Sequence, residues 1–156
     1  MAQDWLKNLF PDKAERTLAW GEVGEIVTLY RPTGIHELKL ISESEFLRFP
    51  PRLPDQPIFY PVLNFEYAEE IAREWNAVKS GVGFVTCFQV KAQAALEYGI
   101  QVVGSENRHL ELWIPAEEQE EFQKSFIGSI EVIAHYTSEA YQGQINPLTH
   151  LPLEWD

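Results

Sequence analysis

The sequence predicts an α+β fold: a small sheet, mixed or mostly antiparallel, flanked by helices. Three observations carry this reading. Runs rich in β-branched and aromatic residues, 83–90 and 109–114 the clearest, are interleaved with amphipathic stretches in no strict β-α-β alternation. The 156 residues suit one domain, and 45% apolar with 13% aromatic residues suffices for a sizeable core. Pro50, Pro51, Pro54, Pro57 and Pro61 forbid a helix interior or a regular central strand over 49–61.

Residues 1–24 read as a helical extension. Trp5, Leu6, Leu9 and Phe10 recur at helical spacing before Pro11, and a second short helix runs from Asp12 to Trp20 with Gly21 as its stop. The compact domain is expected over 25–136. Its first strand is 25–31, ended by Pro32-Thr33-Gly34. Thr33 or Gly34 then caps a helix over 35–44, with Ile35, Leu38 and Ile41 on one face. The proline-rich stretch reads as an ordered loop or at most a broken edge strand, packed down by Phe49, Phe59 and Tyr60.

Asn64 is a good N-cap for a helix over 65–76, with Glu66 in the first turn and Ala68, Ile71, Ala72 and Trp75 as its apolar face. A turn over 79–83 leads into the strand 83–90. One or two helical turns over 91–98, a strand over 100–103 and the strand 109–114 follow, the last two pairing as a hairpin. Pro115 suits the first position of a Glu-rich helix reaching about Phe126 and closed by Gly128. The last strand is 130–136. The tail, 137–156, is polar and proline-interrupted, and is expected to lie over the surface or be partly disordered.

With 12 Lys plus Arg against 24 Asp plus Glu, the formal net charge is −12. Phosphate-backbone recognition rests on clustered cations, so nucleic acid is not an expected partner, and the same sign argues against anionic lipid. A protein partner with a basic surface would suit the charge. Cys87 is the only cysteine, which excludes an intramolecular disulfide and a Cys-rich zinc site; set in a strand, it reads as a buried, inert thiol. The first ten residues carry Asp4 and lack a basic start with a long apolar run, and no stretch approaches about 18 consecutive apolar residues. The expected location is cytoplasmic. Composition leaves the oligomeric state open.

G-x-G-x-x-G, G-x-x-x-x-G-K-[ST], G-x-S-x-G and H-E-x-x-H are all absent, and His36, His109, His135 and His150 stand singly, so no metal site is expected. Three segments stand out together. Leu29-Tyr30-Arg31-Pro32-Thr33-Gly34 puts an arginine at the end of a strand beside a hydroxyl and a glycine. Pro57-Ile58-Phe59-Tyr60-Pro61-Val62-Leu63-Asn64 precedes an Ala-rich, Trp-bearing helix. His109-Leu110-Glu111-Leu112-Trp113-Ile114-Pro115 places a lone acid in an apolar strand.

These segments resemble the ADP-ribosyltransferase-like superfamily, whose enzymes bind NAD in a cleft of a small mixed sheet. From Val27 to Tyr136 the chain is also similar to small bacterial proteins, some of which carry the description ADP-ribosylation/crystallin J1. The resemblance implies NAD as the substrate, and transferase or NAD-glycohydrolase activity without a metal. It places Arg31 on the pyrophosphate or ribose, Thr33 beside it in the cofactor-binding set, and Phe59 or Tyr60 against the nicotinamide ring. Glu111 is then catalytic, stabilising the oxocarbenium-like transition state as nicotinamide leaves. Two departures bear on the acceptor. The middle strand lacks Ser-Thr-Ser, and His109 stands where arginine-modifying transferases carry a second acid. Read without the resemblance, Arg31 could pair with Glu111 across the sheet, Glu111 could face solvent, and Phe59 and Tyr60 could be core. The chain would then be a non-enzymatic acidic interaction protein, of the immunity or antitoxin kind, and Glu117, Glu118, Glu120 and Glu121 a solvated or partner-binding face.

Overall fold

The computed structural model describes residue 20 and residues 23–105 and 107–155. The helices expected over 1–19 lie outside the described residues. At the centre is β3 (Val82–Lys91), whose run of β-branched and aromatic residues is buried on both faces along its first half. It pairs antiparallel with β1 (Ile26–Thr33) on one side and with β7 (Phe126–Thr137) on the other. Two short pairs complete the strands: β2 (Ile58–Phe59) with β6 (Ile114–Pro115), and β4 (Ile100–Val102) with β5 (Leu110–Leu112). Every strand pair among the described residues is antiparallel, and the molecule is α+β.

Val62 bridges Tyr30 of β1 and Glu111 of β5. The proline-rich stretch is thus a loop broken by β2, which pairs on one side only, and just beyond it Val62 is a single-residue bridge between two strands. Prolines are tolerated there because the groups used are carbonyls. Pro61 accepts from the Leu112 N–H at 3.0 Å and Pro57 from the Ala116 N–H at 2.8 Å, while the donors come from Val62 and Leu63.

Helix α1 (Ile35–Glu43) covers one face of the sheet, where Leu38 and Ile41 meet Leu29, Phe84, Phe88 and Leu112. Helix α2 (Phe65–Ile71) covers the other, over Val62 and Val85. It starts where Asn64 Oδ1 accepts from the Tyr67 N–H at 2.7 Å. A π-turn (Ala72–Asn76) joins α2 to α3 (Ala77–Ser80). The wider turn moves the buried face from Ala72 to Ala77, five residues on, and leaves Trp75 70% exposed instead of buried as its spacing predicts. Gly83 lets this helix lie against β3, because a Cβ there would sit 2.1 Å from the Ala72 carbonyl oxygen.

After the short α4 (Ala92–Ala95) and the β4–β5 hairpin, Pro115 ends β6 rather than opening a long helix. A 3-10 turn (Ala116–Glu118) and α5 (Gln119–Gln123) follow. Gly128 sits inside β7, not at a helix end. Its φ of 74° belongs to an irregularity that turns Ile130 into the core, where the Ile130 N–H donates to Phe46 O at 2.7 Å. The segment beyond β7 lies over the domain, tied by the Ser138 N–H donating to Gly81 O at 2.9 Å and folded on itself by the Ile145–Pro152 bridge, with Tyr141, Leu151 and Trp155 against the core.

Candidate functional site

Alternation along β1 puts Leu29, Arg31 and Thr33 on the α1 face and Tyr30 on the α2 face. Arg31 is 5% exposed. Its Nε donates to Glu37 Oε2 at 2.6 Å and its Nη2 to Glu37 Oε1 at 2.9 Å, a bidentate pair with the first turn of α1. Burial works against this cation, but the Glu37 carboxylate outweighs it and holds the Arg31 pKa above the ordinary arginine value. The guanidinium carbon lies 5.1 Å from the Phe59 ring centre and 5.3 Å from that of Tyr60. Thr33 is buried, and its hydroxyl has no hydrogen-bond partner among the described residues.

Phe59 is core, whereas Tyr60 is 39% exposed. A second arginine, Arg52, places its guanidinium 5.6 Å from the Tyr60 ring centre while its Nε donates to Ile58 O at 2.9 Å. Three of the five residues predicted to bind or turn over the ligand, Arg31, Phe59 and Tyr60, thus belong to one neighbourhood.

Glu111 does not join them directly. It shares a row with Val62 and Tyr30, so its side chain lies on the α2 face, opposite Arg31. The Tyr67 hydroxyl donates to Glu111 Oε2 at 2.6 Å and Trp113 Nε1–H to Oε1 at 2.9 Å. The Arg31–Glu111 pair considered from sequence is not formed, because Glu37 holds the arginine and the pleat turns Glu111 away. Nor does Glu111 stand free in solvent; it is half-buried between two neutral donors. Burial, then the Glu111 hydrogen bond and charge, push the Tyr67 phenol well above its usual range, and the Tyr60 phenol adds to that push.

Beside this acid lies a second cluster. Glu70 accepts from His109 Nε2 at 3.1 Å and from Arg108 Nη1 at 3.1 Å. His109 Nδ1 accepts from the Ser105 N–H at 2.9 Å, so the ring proton sits on Nε2, and the ring lies 4.8 Å from that of Tyr67. Gly104 makes room for it: a Cβ would fall 2.3 Å from His109 Nδ1. Cys87 is half-buried, and burial followed by the Glu131 charge pushes its thiol up, away from the reactive thiolate.

Glu37, Arg52, Tyr67, Glu70 and Trp113 are absent from the sequence-predicted set. Glu37 alone had a local signal, an acid in a helix's first turn six residues after Arg31. The rest depend on long-range register. Among the described residues no three His, Cys, Asp or Glu side chains group as a metal site would need, and no helix is long and apolar enough to cross a membrane. No family model matches the chain, and no curated protein or solved structure matches it.

Proposed function

We propose that the chain binds NAD or a closely related dinucleotide beside Tyr60, on an ADP-ribosyltransferase-like core, and breaks its nicotinamide–ribose bond. The observation that supports this best is the position of Tyr60: 39% exposed, with the Arg31 guanidinium carbon 5.3 Å from its ring centre. In the reaction the glycosidic C–N bond breaks with its electron pair leaving on nicotinamide, which neutralises the ring. The ribosyl cation is stabilised by the Glu111 carboxylate and captured at C1′ by water or a protein nucleophile, which loses a proton. Tyr67 and Trp113 fix the carboxylate's orientation. The test is calorimetric titration of NAD into the whole protein. Saturable binding that Tyr60→Ala weakens about tenfold or more supports the reading, and the absence of binding to the wild type overturns it.

A second reading has its own observation. Glu117, Glu118, Glu120 and Glu121 are all exposed on one short stretch beside α5, in a chain of net charge −12. That face fits a basic protein partner, with the chain acting as an interaction protein rather than an enzyme. Replacing these four with Gln would then abolish complex formation and leave NAD binding untouched.

A further inference from the structure

Two guanidinium groups pack on the Tyr60 ring, yet only one has a carboxylate in ion-pair contact. Glu37 takes Nε and Nη2 of Arg31. Arg52 uses Nε alone, on Ile58 O, and its two Nη groups have no partner among the described residues. Glu37 and Asp55 act on Arg52 only through space. The result is a guanidinium with free N–H donors beside a ring 39% open to solvent.

Arg52 is also held in place. Leu53 N–H donates to Gln56 Oε1 at 3.0 Å and Gln56 N–H to Leu53 O at 2.8 Å, closing the turn that follows it. The Nε bond fixes the plane of the guanidinium and leaves both Nη groups as a preformed fork. Burial and the neighbouring Arg31 charge both disfavour the Arg52 cation, a cost that a bound anion would relieve.

We propose that Arg52, set against the Tyr60 ring and backed by Arg31, is the anion-binding residue of this site and takes a phosphoryl group of a nucleotide. Arg31 has only Nη1 left to offer and acts as a positioning residue, through its contact with Tyr60. The proposal deepens the NAD reading by naming what holds the ligand's phosphates, but it stands on the arginine geometry alone. Phosphate fits better than an isolated carboxylate. Its oxygens let one fork bind two of them, and it carries more negative charge.

The experiment is calorimetric titration of inorganic pyrophosphate, and separately of ADP, into the wild type, Arg52→Ala and Arg52→Lys, with melting temperatures measured alongside. Both anions are expected to bind the wild type in a salt-sensitive manner. Arg52→Ala should weaken them about tenfold or more, and Arg52→Lys, which keeps the charge but not the fork, by less. Arg52→Ala should lower the melting temperature only slightly, because it removes one hydrogen bond to Ile58 O and strands no ion-pair partner. Absence of binding to the wild type, or equal binding by wild type and Arg52→Ala, would overturn the proposal. Pyrophosphate binding that depends on Arg52 in a protein that does not bind NAD would leave the anion site standing and retire the NAD reading instead.

Discussion

Arg31 and Glu111 are one strand register apart in the same sheet, and their surroundings are opposite in kind. Arg31 is buried against a carboxylate that reaches it through two hydrogen bonds. Glu111 is half-buried and held by a phenol and an indole, neither of which carries charge. The first is a neutralised pair whose removal would strand a buried ion. The second is a single negative charge, oriented but not neutralised, which is the state a group needs if it is to stabilise a cation that forms beside it. The difference teaches that a strand arginine and a strand glutamate in a short domain can have unrelated tasks even when a bridge of one residue, Val62, separates their strands.

This contrast can be broken at either end. The largest effect is expected from Glu37→Gln, which leaves the Arg31 cation buried without its partner and should cost about 3 kcal/mol of unfolding free energy. Denaturant unfolding would measure it, and a loss below about 1 kcal/mol would show that Arg31 finds another partner. Tyr67→Phe removes one charged-acceptor hydrogen bond from Glu111 while keeping the ring, and should cost about 1.5 kcal/mol in the same measurement. Glu111→Gln should cost less than about 1 kcal/mol, because the amide oxygen still accepts one donor and no buried cation is exposed. A larger loss than for Glu37→Gln would reverse the assignment of the two regions.

The smallest effect concerns a third polar contact, made by neutral groups only. His135 of β7 and His150 of the C-terminal segment face each other with Nδ1 atoms 2.8 Å apart. One must donate and the other accept, so the contact needs a neutral acceptor. Burial first, then the His150 charge, lowers the His135 pKa from its ordinary 6.5. A depressed folded pKa means the unfolded chain binds the proton more tightly. The stability is therefore complete above about pH 6.5 and is lost as pH falls through 6.5 toward the lower folded value. Melting temperature should drop more between pH 7.5 and 5 for the wild type than for His150→Asn, a substitution that the residue's φ of 61° tolerates. Equal drops would show that the pair does not titrate in this window.

Local pattern made much of the fold legible. Residues 83–90, 35–44 and the Asn64 cap all stand close to where their side chains predict, because short-range period and capping decide them. What the pattern could not show depends on contacts distant in sequence. Val62 comes to lie between β1 and β5 only because those strands arrive on both sides of it, which the prolines before it do not reveal. Trp75 is misplaced by a single wide turn, invisible to a 3.6-residue period. At the site, the resemblance put Arg31 and Tyr60 in one ligand set, but nothing local showed the face on which Glu111 sits, since one residue of register reverses a strand side chain.

The central claim is that Glu111 serves the reaction and Arg31 the scaffold. The most direct measurement is NAD turnover by wild type and Glu111→Gln at equal folded fraction, with NAD binding followed in parallel. Unchanged binding and turnover lowered about a hundredfold to a thousandfold is the predicted result, the loss typical of a removed charge-stabilising group. Turnover by Glu111→Gln equal to that of the wild type would contradict it.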